Sequence, residues 1–361
     1  MRDQKRVFVG LSGGVDSSVS ALLLKNQGYQ VEGVFMKNWE DDGKSAFCPQ
    51  DIDLKDAKAV CEKLAIPFHR VSFAQEYWET VFQYFLNEYA AGRTPNPDIL
   101  CNKEIKFGAF LNYALSQGAD YIATGHYAKI ATQEIGEKYL LKKATDLNKD
   151  QTYFLYTLQQ HQLAKSLFPL AALKKPTVRK IAQENGFDNF AKKDSTGICF
   201  IGERKFSDFL GEYLLARPGN IETIDGKVIG KHRGLMFYTL GQRQGLGIGG
   251  QKALSEAAWY VIDKDIARQV LVVGQSHDHP KLLSRSLICE QLHWIAGAPP
   301  ETPLNCAAKT RYRQIDAPCI LQQKTETHYE VVFETAQWAI TPGQSVVFYH
   351  ADICLGGGVI V

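Results

Sequence analysis

Arg6-Val7-Phe8-Val9-Gly10-Leu11-Ser12-Gly13-Gly14-Val15-Asp16-Ser17-Ser18 runs a short apolar, β-branched segment into a glycine–serine turn. A helical stripe at Val15, Val19, Leu22, Leu23 and Leu24 follows. Strand, glycine-rich turn and helix in that order make an anion site. Glycines let the backbone approach a ligand closely, and serine hydroxyls and helix N-terminal amides donate to phosphate oxygens. Asp16 falls in the first helical turn, where its charge would repel a bare phosphate. It fits beside a metal ion, most simply Mg²⁺ on a pyrophosphate. The plain structural reading of the same residues is an Asp-capped strand–turn–helix.

Outward from this turn, strand patterns at 30–36, 68–71 and 121–124 alternate with helical patterns at 51–65, 75–90 and 101–116. That alternation predicts a parallel sheet covered on both faces, an α/β, Rossmann-like arrangement. After Gly219 the pattern changes to short β runs between Gly and Pro breaks, at 226–228, 235–240, 259–263 and 269–273. Further runs at 306–312, 318–322, 329–334, 345–349 and 353–355 predict a small C-terminal β-barrel. The expected division is a catalytic domain over 1–202, a small mixed or β central domain over 203–276 and the barrel over 277–361.

Composition excludes several classes. The 361 residues are 45% hydrophobic and 22% charged, ordinary for a globular protein, and the net charge of +2 excludes a polycationic tail. Charge is uneven, with 17 basic against 11 acidic residues over 161–275. That excess is either a solvated face or a surface for a phosphate backbone. No apolar run approaches the roughly 18–20 residues needed to span a bilayer. No apolar stretch with a small-residue cleavage site opens the sequence, so a cytoplasmic location with reduced cysteines is expected.

None of the eight cysteines forms a C-x-x-C pair, which argues against a zinc ribbon or a thioredoxin-type dithiol. Cys101 and Cys199 stand apart from the rest. Cys101 follows Asn96-Pro97-Asp98, where Asp98 reads as a helix N-cap and Cys101 as a first-turn thiol beside the positive helix end. Asp98 and Cys101, three apart, are expected to face one pocket. Cys199 lies in the Gly/Ser/Thr-rich stretch 194–202 after Lys192-Lys193, which suits sulfur chemistry better than packing. The other six read as small buried hydrophobes. Gly43-Lys44-Ser45 lacks the leading glycine of a Walker loop. The run from Gly245 to Gly250 fits a dinucleotide pattern but has no βαβ unit around it.

The S-G-G-x-D-S signature at Ser12–Ser17 resembles the PP-loop ATP pyrophosphatases, which cleave ATP between the α and β phosphates and place AMP on a carbonyl-type oxygen. Further motifs lie along nearly the whole chain: Asn96-Pro97-Asp98 with Cys101, Ala123-Thr124-Gly125-His126-Tyr127, Lys149-Asp150-Gln151-Thr152-Tyr153, Gly197-Ile198-Cys199-Phe200-Ile201-Gly202, Tyr238-Thr239-Leu240-Gly241-Gln242-Arg243 and Arg311-Tyr312. With them the chain is similar to the tRNA-specific 2-thiouridylases of that superfamily. The resemblance implies ATP on Gly10, Leu11, Ser12, Gly13, Gly14, Val15, Asp16 and Ser17, with Met36 and Gly125 at the adenosine. It implies Asn96, Pro97 and Asp98 at a flipped wobble uridine of tRNA, Asp98 as acid/base, Cys101 as nucleophile and Cys199 as persulfide carrier, the two cysteines closing a transient disulfide. It implies tRNA contacts at His126, Lys149, Asp150, Gln151, Arg311, Tyr312 and Gln344. ATP with Mg²⁺, a tRNA, and a persulfide donor such as a cysteine desulfurase or sulfur-relay protein follow as cofactors and partners. A PP-loop synthetase that adenylates a small carbonyl compound for coupling to ammonia is the alternative enzyme. A non-catalytic tRNA-binding protein with a relic loop is the alternative from another class.

Overall fold

Residues 4–40, 49–133, 138–194, 206–248 and 257–361 are described in the computed structural model. Cys48, Cys199, the 43–45 tripeptide and the end of the 245–250 glycine run lie outside them.

The first strand sets the architecture. In β1 (Arg6–Gly10) Val7 and Val9 point to one face and Phe8 to the other, and all three are buried. Only a sheet covered on both sides accepts that pattern. β1 pairs in parallel with β2 (Gln30–Lys37) and β4 (Tyr121–Ala123). β3 (Phe68–Ser72) lies beyond β2. Helix α1 (Val15–Asn26) and α2 (Pro49–Leu64) contribute Val15, Val19, Leu22, Val60 and Cys61 to the face of Val7 and Val9. The Phe8 face is covered by α3 (residues 74–90) and α4 (residues 97–116), with Phe82, Phe85, Ile105 and Phe110.

Two β-hairpin strands follow that sequence periodicity did not reveal. β5 (Ala128–Thr132) and β6 (Tyr139–Lys143) leave the parallel sheet and join the C-terminal one. The parallel sheet is completed by β7 (Ser166–Leu167), in the order β3-β2-β1-β4-β7. Helix α5 (Lys175–Glu184) then packs Val178 and Ala182 onto α1.

The central sheet comprises β8 (Gly219–Thr223), β9 (Val228–His232), β10 (Trp259–Asp265) and β11 (Val270–Gln275) around Ile221, Val261, Leu271 and Val273. The strand expected at 235–240 is instead a tight helical turn at Leu235–Phe237, and a turn follows at Gly241, where φ is +79. Among the described residues, the next element after Gly245–Ile248 is the strand β10.

The last sheet closes on itself as expected. β12 (Leu283–Trp294), β13 (Leu304–Lys309), β14 (Ala317–Gln323), β15 (Tyr329–Trp338), β16 (Ser345–His350) and β17 (Ile353–Ile360) run in the order β12-β15-β14-β13-β16-β17, and β17 pairs back onto β12. Leu287, Leu321, Val331, Phe333, Val346 and Phe348 fill its interior. Cys61, Cys289, Cys319 and Cys354 are buried, and burial pushes each thiol above its ordinary pKa, for Cys319 together with the neighbouring Cys306. That suits small apolar core residues.

β17 is shared. Its C-terminal half closes the barrel, while Ile353 and Cys354 pair with Lys142 and Leu141 of β6. Leu141, Val347, Tyr349 and Cys354 therefore belong to the same core as Phe8 and Phe110. Truncating Leu141 to Ala should cost about 2–5 kcal/mol, the range for a buried leucine. A denaturant titration that follows barrel and parallel-sheet probes together should show both midpoints fall.

Candidate active site

A cavity of about 630 Å³ opens at the C-terminal ends of β1 and β4. The chain leaves β1 toward β2 on one side and reaches β4 on the other, so this is the switch point where open α/β sheets bind ligands. Gly10, Leu11, Ser12, Gly14, Val15, Asp16 and Ser17 form its floor. No side chain caps α1 at Gly14, which leaves the first amides of that helix facing the cavity. Gly13 has φ +70, and a Cβ there would lie 2.4 Å from the Asp53 carbonyl oxygen. A Cβ on Gly125 would meet the Ser17 amide nitrogen at 2.8 Å. Both glycines are therefore required by close backbone approach. Met36 and Gly125 line the wall beside the loop.

Asp16 is the centre of the charge arrangement. Lys175 of α5 donates to its Oδ1 and Oδ2 at 2.8 and 2.7 Å, and the Tyr127 hydroxyl donates to Oδ1 at 2.9 Å. The same Lys175 ammonium reaches Asp194 at 2.7 Å, and Lys149 donates to Asp194 at 2.6 Å. Burial alone would raise the Asp194 pKa, but the hydrogen bonds from Lys149 and Lys175 outweigh it and hold it at about 2. Lys192 donates to the Gly13 carbonyl at 3.3 Å and to Asp53 at 2.7 Å, and Asn189 donates to the Gly13 carbonyl at 3.0 Å. Two carboxylates sharing one ammonium form a hard-oxygen pair of the kind that holds Mg²⁺ together with substrate phosphates.

The opposite wall comes from α4. Asn96 caps it by accepting from the Asp98 amide at 3.2 Å, and Pro97 occupies the first helical position. The expected cap at Asp98 is thus corrected by two residues, because Pro97 has no amide to satisfy and the Asn96 side chain reaches the next one. Cys101 then lies beyond the first turn, with its own amide already bonded to the Pro97 and Asp98 carbonyls. From Cys101 to Ala109 the helix is wound as a π-helix, a form that recurs at functional sites. Asp98, Asn102 and Lys106, four apart, line the cavity. Cys101 is on the neighbouring stripe, 1% exposed and packed in the core, so the expectation that it shares a pocket with Asp98 does not hold in this state. Burial raises the Asp98 carboxyl above its usual range, partly offset by Lys106. Burial also keeps the His126 ring neutral, well below the ordinary histidine pKa, with Lys106 acting in the same direction.

Three domain models cover the chain. A tRNA methyl transferase HUP domain matches residues 5–203, a tRNA methyl transferase PRC-barrel domain residues 207–275 and an aminomethyltransferase beta-barrel domain residues 284–360. A protein of Proteus mirabilis called tRNA-specific 2-thiouridylase MnmA is 59% identical over 358 residues, 99% of this chain and 97% of its own length. Proteins of the same name from Salmonella typhimurium and Vibrio cholerae are 60% and 59% identical, each over 99% of this chain and 96% of their own. The chain belongs to the tRNA-specific 2-thiouridylase family. The word methyl in the domain descriptions is not matched by these relatives, whose similarity runs the full length.

The 2-thiouridylase resemblance named more residues than the cavity gathers. His126, Lys149, Gln151 and Tyr312 line it, and Tyr312 stacks at a tilt on Phe154 with ring centroids 4.5 Å apart. Asp150 turns inward, accepting from the Ala144 amide and the Thr152 hydroxyl, and so braces the loop that presents Lys149 and Gln151. Arg311 donates to the Ala339 carbonyl at 2.7 Å and the Leu240 carbonyl at 3.3 Å, tying barrel to central domain, while Arg313 lines the cavity. Gln344 donates to the Thr94 carbonyl at 2.7 Å, just ahead of Asn96 and Pro97, neither of which lines the cavity. Lys175, Arg179 and Lys192 from the basic middle segment are spent on internal ion pairs around the cavity, not on an outer face. Sequence reasoning missed Lys175, Asn189 and Asp194 as site residues. Lys175-Pro176 at a helix start was the one signal available.

The Asp194 pairings carry a pH signature. Its folded pKa is depressed, so their contribution is complete above the ordinary carboxylate value of 3.8 and is lost as pH falls through about 2. Asp194→Asn should remove that part of the acid-induced loss of stability. Denaturant midpoints measured down that window in both proteins check it.

Proposed function

We propose that the protein thiolates the wobble uridine of tRNA at C2, using ATP to activate the oxygen and a persulfide to replace it. One observation carries the reading: an uncapped, glycine-lined helix start and the half-buried Asp98 carboxyl line one cavity. Full-length similarity to the 2-thiouridylases supports the acceptor.

ATP occupies the Gly10–Ser17 floor, with its phosphates on the α1 amides and its adenosine toward Met36 and Gly125. Asp16 and Asp194 would hold the Mg²⁺ that travels with ATP, and the ion would neutralise charge on the phosphates. The uridine must leave its stack to reach the cavity. Asn96 and Pro97 shape the approach, and Asp98 meets the base. The uridine O2 attacks the α-phosphorus, pyrophosphate leaves, and C2 becomes linked through oxygen to AMP, a good leaving group. Asp98, whose carboxyl is raised above its usual range by burial, stands at the cavity where a proton must move at the base, which suits an acid/base role.

Sulfur comes from a persulfide on Cys199, charged by a donor such as a cysteine desulfurase. In one course its terminal sulfur displaces AMP from C2. The Cys101 thiolate then attacks Cys199 Sγ, leaving C2=S and a Cys101–Cys199 disulfide. In the other, Cys101 attacks first and releases hydrosulfide, which displaces AMP. Both oxidise the two cysteines to a disulfide that an external thiol must reduce. Because Cys101 is in the core, either course needs α4 to shift. Lys149, Gln151, Tyr312 and Arg313 line the cavity and suit an RNA strand, with phosphate donors beside a stacking ring, and His126 lies buried in the same wall. Asp150, Arg311 and Gln344 act behind them as supports. The reaction belongs in the cytoplasm, where tRNA and reduced thiols are found; no helix among the described residues is long and apolar enough to cross a membrane. The small-carbonyl synthetase reading would need neither the barrel nor the Cys199 motif, and the full-length relatives do not support it.

Asp16→Ala should abolish tRNA-dependent ATP–pyrophosphate exchange while tRNA affinity changes little. Retained exchange would remove the loop assignment. Cys199→Ser should still adenylate tRNA yet carry no persulfide, and Cys101→Ser should accept persulfide yet make no thiouridine. Mass spectrometry of the protein and of digested tRNA separates these outcomes, and full thiolation by Cys199→Ser would refute the two-cysteine course.

A further inference from the structure

The segment 92–95 joins α3 to the Asn96-Pro97-Asp98 start of α4. It is gripped from both downstream domains at once. From the central domain, the Lys264 ammonium donates to the Gly92 carbonyl at 2.9 Å, and the Thr239 and Thr94 hydroxyls lie 3.2 Å apart. Ile266 packs so close that a Cβ on Gly92, at φ +77, would meet its Cδ1 at 2.5 Å. From the barrel, the Pro342 carbonyl accepts from the Thr94 amide at 3.1 Å, and Gln344 donates to the Thr94 carbonyl at 2.7 Å. Gly343, at φ +87, lies against Thr94, whose amide nitrogen would be 2.9 Å from an added Cβ. A four-residue strap with this many partners on two other domains is held in place, not draped.

We propose that Lys264 is a positioning residue: by anchoring the Gly92–Pro95 strap from the central domain, opposite Gln344 of the barrel, it sets where Asn96-Pro97-Asp98 stands over the cavity. This rests on the reading that those three residues meet the target base. Lys264 touches neither cavity floor nor cysteine, so its effect passes through the strap. Its ammonium is in a small cavity of its own, lined by Arg93, Thr94, Leu240, Asp263, Thr341 and Pro342 among others. Burial there pulls its pKa down to about 8. Arg93 is already paired with Glu88, with its Nε 2.6 Å from Oε2, and Asp263 faces Lys281 at 4.0 Å. Arg93 is a like charge and Asp263 is turned to Lys281, so the Gly92 carbonyl is the partner that rewards keeping a lysine at this position. The arrangement makes the placement of Asn96-Pro97-Asp98 depend on both downstream domains being docked.

The test uses the full chain with Lys264→Met and Lys264→Arg. A hydrogen bond from a charged donor corresponds to about a tenfold equilibrium change. Lys264→Met should therefore speed amide exchange over residues 92–98 about tenfold and lower the thiolation kcat comparably, with the KM for ATP unchanged. Lys264→Arg, which keeps a donor and a charge, should restore most of both. Wild-type exchange over 92–98 in Lys264→Met overturns the proposal, as does faster exchange spread evenly through the barrel. An unchanged kcat with a loosened strap overturns it too. If the wild-type chain makes no thiouridine, the function reading fails, and the exchange measurement still decides the strap.

Discussion

A carboxylate in the middle of a phosphate site is the constraint around which the rest is arranged. Asp16 cannot share the α1 amides with a polyanion unless something offsets its charge. Here Lys175 and the Tyr127 hydroxyl do so. The Lys175 ammonium is buried and needs these carboxylates as partners, so α5 must remain docked on α1. That docking brings Asn189, Lys192 and Asp194 to the loop as well. The carboxylates and ammonium groups then form an alternating network of Asp16, Lys175, Asp194 and Lys149.

The second constraint is mechanical continuity. The parallel sheet places the nucleotide floor, and α4 places Asp98, yet the β5–β6 hairpin carries the chain into the barrel sheet and back. Through β17 the barrel and the catalytic half share one core, with Tyr153 and Tyr156 hydrogen-bonding Ser345 across the seam. Arg311 ties the barrel to the central domain, and the strap at 92–95 returns the connection to the active site. An RNA large enough to touch the outer domains would therefore act on parts that are already coupled to the Asn96-Pro97-Asp98 segment.

Much of this was legible in the sequence because it follows from local chemistry. The β1–turn–α1 unit, the alternation of strands and helices, and the closed C-terminal barrel are each dictated by periodicity and glycine placement. Residues 128–143 were not legible, since a hairpin that abandons its own sheet has the same alternation as one that stays. The Asn96 cap and the burial of Cys101 were missed for a related reason. Which of two neighbouring cap formers wins, and which stripe of a π-wound helix faces inward, depends on packing partners that lie far away in sequence. Lys175 shows the limit most sharply: a lysine at a helix start reads as surface, and only the fold turns it onto Asp16, 159 residues away. The Arg311 guanidinium, similar to an RNA contact by motif, also brackets two domains through the Ala339 and Leu240 carbonyls, while Arg313 two residues on lines the cavity.

On the proposed course, ATP on the β1–α1 loop activates the C2 oxygen of a uridine and sulfur then takes its place. An oxygen-isotope experiment tests it most directly. A tRNA anticodon stem-loop carrying ¹⁸O at C2 of the wobble uridine is turned over with Mg-ATP and a persulfide donor, and the products are weighed by mass spectrometry. One ¹⁸O in AMP, none in pyrophosphate, and a thiouridine without the label is the predicted result. Label remaining in the RNA, or appearing in water with unlabelled AMP, would contradict it.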